Sequence, residues 1–324
     1  MLDALFAPAI GLYRHRHTVR AMGALAMTGI RANGHAPTIP ADFESKSQVS
    51  GRVPAIDRAL LADFMRVTKA EVSHFRQGDG SQIVPPTFYV TWAMAALADA
   101  IVKLDIPYNY SRVLHSASEV RYARPFLIDE VGFFTSRVSM IDDNERRAKI
   151  RVDSVVTERD AHGPEIFTNV MELHVPKAVK REGARGSMKR PDPPIIGPEL
   201  RPLADLEMRR DLGTRYALVS GDFNPVHWAK PAAKAMGFRS TFVQGYCTKA
   251  MAAHAIIRQL LRGAAADLVS LRVEFRKPIL LPARVSLFIG KPTTERDGTV
   301  SRPLAIGKAA GGEAYVTGSF AYRA

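Results

Sequence analysis

The chain has 324 residues, of which 46% are hydrophobic and 24% charged, and its formal net charge is +13. This length allows two domains of ordinary size, each with its own core. The single cysteine, Cys247, excludes an intramolecular disulfide and any site with several cysteine ligands, which is typical of a protein from a reducing cytoplasm.

The positive charge would attract nucleic acid, an anionic membrane or an acidic partner. However, the sequence has no long block of like charges, no aromatic RNA-binding signature and no helix-turn-helix pattern. We therefore expect no nucleic-acid partner, and a generally basic surface is the simpler interpretation.

Residues 1–44 form an apolar and basic extension. The basic residues 14–17 interrupt its apolar run, which is unlike a secretory signal. No run reaches the roughly 18 apolar residues of a membrane span, so we expect no integral membrane segment. A helix packed on the protein body is favoured, and an amphipathic helix on a membrane surface is the alternative.

The first half continues with a short predicted helix at Arg58–Met65 and a turn at residues 78–80. A second, alanine-rich helix is predicted at residues 87–104, and small side chains suit a helix that a sheet wraps closely. Trp92 is expected in the core, as is its neighbour Met94. His74 is expected to be structural.

Two segments share one pattern: residues 120–127, VRYARPFL, and residues 273–280, VEFRKPIL. Each alternates in polarity and then has a basic residue, a proline and two apolar residues. Each follows an alanine-rich helix, the second at residues 243–262, and each precedes three strand-like segments. These strands are predicted at residues 131–141, 148–158, 166–175, 285–290, 301–309 and 314–322. The shared order predicts a structural repeat, and the prolines predict a bulge or bend in each strand.

The repeat divides the chain into predicted domains. Residues 176–200 are rich in Pro, Gly, Lys and Arg and have no apolar period, which is typical of a linker. The two repeats would then occupy residues 45–175 and 201–324.

Residues 216–245, YALVSGDFNPVHWAKPAAKAMGFRSTFVQG, contain Asp222, Asn224 and His227 in the arrangement D-x-N-P-x-H. Pro225 prevents a continuous helix between the Asp and the His, so a rigid loop is predicted. A carboxylate and an imidazole on one loop can hold and activate a water molecule. The alternative is a surface turn in which Asp and Asn cap their own backbone.

This loop resembles the signature of the MaoC-like, R-specific enoyl-CoA hydratases and dehydratases. The matching residues are Tyr216, Ser220, Gly221, Asp222, Asn224, Pro225 and His227, followed by Gly237-Phe238 and Val243-Gln244-Gly245. The resemblance implies an α+β double hotdog, in which two repeats each wrap a curved antiparallel β-sheet around a central α-helix. Because only the second repeat has the motif, one active site per chain is expected.

The resemblance also implies the roles of the site residues. In this family the Asp and the His hold the water that adds across a trans-2-enoyl thioester. Asp222 is the preferred base and His227 the preferred proton donor toward C2, although the sequence does not fix that division. Asn224 is expected to orient the dyad or the water through its amide.

Gly245 is the candidate oxyanion donor, because it opens a helix whose first N–H groups are unpaired and it lets a thioester approach closely. The corresponding entry to the first alanine-rich helix, residues 89–92, has no glycine. The first repeat is therefore expected to bind the acyl tail, or only to support the fold, without catalysing.

Tyr216 and Ser220 are candidate substrate-binding residues, although support of the loop is preferred for both. Three basic residues near the loop are candidates for contacts with coenzyme A phosphates: Lys230, Lys234 and Arg239. Cys247 and His254 lie two helical turns apart, too far for a nucleophilic pair, so a buried thiol is expected. No metal cluster, P-loop or Rossmann fingerprint is found in the sequence, so neither a metal nor a cofactor is expected.

The implied substrate is an acyl-CoA or a substrate on an acyl carrier protein. Two other functions stay open: a hotdog acyl-CoA thioesterase, and an acyl-binding subunit without catalysis. A double hotdog supplies internally the pairing that single-hotdog proteins obtain by dimerising, so a monomer or a homodimer is expected.

Overall fold

A computed structural model describes residues 11–31, 38–110, 113–177 and 194–324. Its α-helices are α1 (Arg16–Arg31), α2 (Phe43–Lys46), α3 (Arg58–Thr68), α4 (Val90–Val102), α5 (Leu212–Ser220), α6 (Lys230–Ala235) and α7 (Gly245–Gln259). The strands of the first half are β1 (Val49–Arg52), β2 (Leu114–Tyr122), β3 (Gly132–Asp143), β4 (Arg147–Glu158) and β5 (Glu165–Pro176). Those of the second half are β6 (Arg201–Met208), β7 (Leu268–Phe275), β8 (Ala283–Ile289), β9 (Thr293–Thr294), β10 (Thr299–Gly307) and β11 (Ala314–Arg323).

The strands of both halves join in one antiparallel sheet. Its order is β1-β3-β4-β5-β2-β7-β11-β10-β8-β6, with β9 paired to β10. Counted from the centre, the halves have equivalent orders, β2-β5-β4-β3-β1 and β7-β11-β10-β8-β6. The predicted double hotdog is therefore confirmed.

The centre of the sheet is the pairing of β2 with β7, where Val120 lies opposite Leu271 and Ser118 opposite Val273. These are the strands of the two segments that share a sequence pattern. The copies thus pair with each other, and the joint between the repeats consists of backbone hydrogen bonds as well as side-chain contacts.

The prolines of the repeated segments lie just beyond these strands, not inside them. After β2, the N–H groups of Ala123 and Arg124 both donate to Ile166 O. After β7, those of Arg276 and Lys277 both donate to Tyr315 O. Where two consecutive N–H groups donate to one carbonyl oxygen, the strand has a bulge, and the bulge bends the chain. Each proline follows that bulge, because proline has no N–H for the ladder.

The two central helices are α4 and α7. Ala250, Ala252 and Ala253 of α7 have no exposed surface, and Ala98 and Ala100 of α4 are equally buried. Since the interior is close-packed, larger side chains at these positions would push the helix away from the sheet. The expectation of small residues on a wrapped helix is confirmed in both repeats.

The N-terminal extension contributes α1, which packs against α4. Ala21 and Leu25 are buried in the common core, so the helix packs on the protein body. Residues 1–10 and 32–37 of the extension lie outside the described residues. Within the part of the chain that the structure describes, no helix is long and apolar enough to cross a membrane.

The predicted linker is described only in part, because residues 178–193 lie outside the described residues. Its last segment packs on the second half of the sheet. The N–H of Ile196 donates to Gly312 O over 2.9 Å, and its side chain is buried against Phe288 and Ala314.

Candidate active site

The D-x-N-P-x-H loop begins where α5 ends. Gly221 has φ +82°, a left-handed conformation that favours glycine and turns the chain out of the helix. The Ser220 hydroxyl donates to Tyr216 O over 2.7 Å and accepts from the N–H of Asp222 over 3.2 Å. The start of the loop is thus fixed to the last turn of α5.

The other end of the loop is a short 3-10 helix, Pro225–His227. Asn224 caps this helix, since its side chain accepts from the N–H of Val226 over 3.4 Å. The backbone N–H of Asn224 donates to Asp222 Oδ1 over 3.3 Å. Asn224 therefore contacts Asp222 through its backbone N–H. That its amide orients the dyad or the water stays a prediction. The local capping that was the alternative interpretation is present as well.

Asp222 and His227 meet at the end of this loop. His227 Nε2 lies 3.8 Å from Asp222 Oδ2, and the side chains are 10% and 17% exposed respectively. His227 Nδ1 lies 2.8 Å from Phe242 O. A carbonyl only accepts, so Nδ1 carries a hydrogen and Nε2 faces the carboxylate. The 3.8 Å separation is too long for a direct hydrogen bond but suits one bridging water.

The dyad lines a cavity of about 290 Å³. The second repeat contributes Asp222, His227, Phe242, Gly245 and Ile279 to its wall, and the first repeat contributes Met94, Leu97, His115, Met171 and Leu173. The cavity thus spans the joint between the repeats. Of these residues, the sequence predicted Asp222, His227 and Gly245 on the catalytic side, but neither the other two of that side nor those that the first repeat provides.

Gly245 is the first residue of α7 and lines the cavity. Its N–H lies in the first turn, where helical N–H groups have no intrahelical partner. A Cβ on Gly245 would lie 2.8 Å from Phe275 Cζ and 3.1 Å from His115 Nδ1. The glycine therefore leaves room for two protein rings. That it also lets a thioester approach closely stays a prediction.

His115 is a site residue that the sequence did not indicate. Its ring lies 4.7 Å from the rings of both Tyr246 and Phe275. Burial, together with the charge of Lys249, lowers the pKa of His115 to about 3, so its imidazole is neutral. Its Nε2 is buried without a hydrogen-bond partner. In the sequence, a histidine within a strand of alternating polarity gives no indication that its ring will line a cavity.

The candidate substrate-binding residues lie away from the cavity. Tyr216 and Ser220 have no exposed surface, and the residues that line the cavity include neither of them. Substrate contact is therefore the wrong prediction for both, because the cavity does not reach them, and the preferred role in supporting the loop fits the structure. Lys230, Lys234 and Arg239 are exposed and do not line the cavity either.

Two other basic residues, Arg276 and Lys277, line the cavity and are exposed. They lie directly after β7, at the bulge. In the sequence they stand out only as the basic positions of the repeated pattern, which carried no prediction of a site.

Cys247 and His254 do not join the site. Cys247 is fully buried, and burial raises the pKa of its thiol, so the expectation of a buried thiol is confirmed. His254 Nδ1 donates to Thr68 O over 3.2 Å, and burial lowers its pKa to about 4. Within the described ranges, no group of three His, Cys, Asp or Glu side chains could hold a metal ion.

Comparison with known families finds two matches along the chain. Residues 194–299 match the family described as MaoC like domain, and residues 67–168 match the FAS1-like, dehydratase domain region. The 3-hydroxyacyl-thioester dehydratase X of Mycobacterium tuberculosis is 26% identical over 262 residues, which are 80% of this chain and 86% of that protein.

Solved structures agree with this assignment of the fold. The crystal structure of HtdX from Mycobacterium tuberculosis superposes with a TM-score of 0.63 at 22% identity, over 86% of this chain and 99% of that one. A Mycobacterium tuberculosis protein described as having a double hotdog fold superposes with a TM-score of 0.55 at 10% identity, over 85% of this chain and 95% of that one. The chain therefore carries a MaoC-like dehydratase domain in its second half, within a double hotdog.

Proposed function

We propose that the protein reversibly hydrates trans-2-enoyl thioesters to R-3-hydroxyacyl thioesters in fatty-acid metabolism. The observation that carries the proposal is the Asp222–His227 dyad, which opens into a largely apolar cavity beside the N-terminus of α7. The 3-hydroxyacyl-thioester dehydratase that this chain resembles over most of its length supports the same reaction.

The first step is attack of water on C3 of the enoyl group. A water between Asp222 Oδ2 and His227 Nε2, which are 3.8 Å apart, can contact both atoms. Asp222 takes a proton from this water while the oxygen bonds to C3. The C2–C3 π electrons move toward the thioester, and negative charge develops on its carbonyl oxygen. The N–H of Gly245, at the positive end of the α7 dipole, stabilises that charge.

The second step is protonation of C2. His227, as an imidazolium whose Nδ1–H is donated to Phe242 O, gives its Nε2 proton to C2. The proton on Asp222 then passes to His227 Nε2, and the dyad returns to its starting state. One water has been added, and dehydration is the reverse sequence.

The walls and the rim of the cavity agree with a long amphiphilic substrate. Apolar side chains from both repeats, such as Leu97 and Ile279, surround an acyl chain. Arg276 and Lys277 at the exposed side suit the phosphates of coenzyme A or of a phosphopantetheine arm. The net charge of +13 also favours an acidic carrier protein. Since the repeats pair with each other, we propose a monomer or a homodimer.

The test is the loss of enoyl absorbance when purified protein is added to crotonyl-CoA. Asp222→Asn and His227→Gln should each lower kcat/KM by roughly 10²–10⁴-fold, because each removes one proton-transfer group. The exposed residues Asp129 and His162 provide matched controls. Asp129→Asn and His162→Gln should leave kcat/KM within a factor of two or so of wild type. The product should be the R isomer.

Two further measurements distinguish the hydratase from the other two functions. A thioesterase would release free thiol, which a thiol-reactive dye detects and hydration does not produce. An acyl-binding subunit would bind acyl-CoA equally well after Asp222→Asn while the wild type turned over no enoyl substrate. Either result would contradict the hydratase proposal.

A further inference from the structure

A second cavity, also of about 290 Å³, adjoins the catalytic one. It lies between α1 of the N-terminal extension and residues 221–225 of the catalytic loop. Four residues line both cavities, namely Met22, Leu25, Val113 and Asn224. These four form the partition between the two spaces, and two of them belong to α1, outside both hotdog repeats.

The second cavity is mostly apolar. Its wall includes Val19, Met22, Leu25, Phe223 and Pro225, and none of the described residues that line it is charged. The partition itself contains Met22, whose unbranched thioether side chain adapts to irregular spaces. Three of the four partition residues are apolar, and a partition with an adaptable methionine suits the far end of a hydrocarbon chain.

The position of this partition is fixed against the catalytic loop by His15, just before α1. Its Nε2 donates to Leu218 O over 3.2 Å. Its ring meets that of Phe223 edge-on at 6.2 Å and packs on Gly221, where an added Cβ would lie 3.0 Å from His15 Nδ1. Thus the helix that closes the cavity rests on the loop that holds the dyad.

We propose that the second cavity is a subsite for the tail of long acyl chains, and that Met22 and Leu25 determine the length at which a chain must enter it. This inference rests on the proposed function. Short enoyl chains end within the catalytic cavity, whereas longer ones displace Met22 and continue beneath α1. Each methylene that becomes buried there should raise kcat/KM by about fourfold.

Three variants of α1 test the subsite. Met22→Ala removes part of the partition. Gly23→Leu adds a large apolar side chain at the wall of the second cavity, because Gly23 lines that cavity and not the catalytic one, and a Cβ there meets no atom within 4 Å. Leucine also favours the helix more than glycine, so a lost activity would not reflect unfolding of α1. Met27→Ala is the matched control, because Met27 lies on the same helix and is 50% exposed.

The measured quantity is the ratio of kcat/KM for trans-2-decenoyl-CoA to that for crotonyl-CoA. We expect the ratio to rise several-fold in Met22→Ala, to fall by at least about fourfold in Gly23→Leu, and to stay at the wild-type value in Met27→Ala. A ratio that is unchanged in both Met22→Ala and Gly23→Leu would overturn the subsite.

A second measurement separates this inference from the proposed function. Calorimetric titration with butanoyl-CoA and decanoyl-CoA, which are saturated and undergo no hydration, gives the ratio of their affinities without turnover. The subsite predicts the same order of ratios, with Met22→Ala highest and Gly23→Leu lowest. If the wild type hydrated nothing, this titration would still decide the subsite, and equal ratios in all four proteins would reject it.

Discussion

At the scale of single residues, Lys249 is a buried amine whose hydrogen-bond partners are neutral hydroxyls. It has no exposed surface, and its Nζ donates to Ser118 Oγ over 2.8 Å and to Tyr89 Oη over 3.2 Å. Burial lowers the pKa of Lys249 well below its ordinary 10.5, and the nearby Glu119 only partly opposes this. Both hydroxyls belong to the first repeat, so the lysine joins the halves.

This lowered pKa predicts a pH dependence of stability. Between the lowered pKa and 10.5, the unfolded chain binds a proton at Lys249 that the folded chain does not bind. The free energy of unfolding therefore rises with pH across that window, by at most about 1.4 kcal/mol per pH unit. Urea titrations between neutral pH and about pH 10 should show a shallower rise in Lys249→Met than in wild type. Lys230→Met, at an exposed lysine, should keep the wild-type slope, and an unchanged slope in Lys249→Met would contradict the prediction.

At the scale of elements, the catalytic loop depends on how α5 ends. Gly221 and Gly237 both have positive φ, +82° and +87°. A Cβ on Gly221 would also lie 3.0 Å from His15, whereas one on Gly237 would meet nothing within 4 Å. Gly237→Ala should therefore cost only the backbone strain, about 1–2 kcal/mol. Gly221→Ala should cost more and also lower kcat/KM, because it displaces Asp222. Equal losses of stability in urea unfolding would show that the contact with His15 contributes nothing.

The elements themselves could largely be predicted from the sequence. Periodicity and turn residues indicated the two central helices and the long strands, and the D-x-N-P-x-H pattern indicated the loop that carries Asp222 and His227. The contacts of His115 with Gly245 could not be predicted. They depend on the register of β2 against β7, which pairs Ala117 with Glu274, far apart in the sequence. The place of Met22 in the cavity wall could not be predicted either, because only tertiary packing brings α1 to the loop.

At the scale of the whole molecule, the two repeats share a sheet, a core and a cavity. The ladder between β2 and β7 is continued by an ion pair across the joint, between Arg272 and Glu119 at 3.3 Å. The main hydrophobic core contains residues of both halves, such as Phe64 and Tyr216, whose rings lie 6.0 Å apart. Neither repeat can unfold without exposing the central strand of the other, so we expect the chain to unfold as one cooperative unit.

The two tryptophans of the chain test this cooperativity, because each reports on one repeat. Trp92 lies in α4 and is 8% exposed, and Trp228 follows the catalytic 3-10 helix and is 46% exposed. Trp228→Phe leaves fluorescence from the first repeat alone, and Trp92→Phe leaves it from the second. In each variant, the urea midpoint from fluorescence should equal that variant's own midpoint from far-UV circular dichroism, even if the two variants differ in stability. A fluorescence midpoint that departs from the dichroism midpoint in either variant would show that one repeat unfolds while the other stays folded, and the sheet joint would then not couple them.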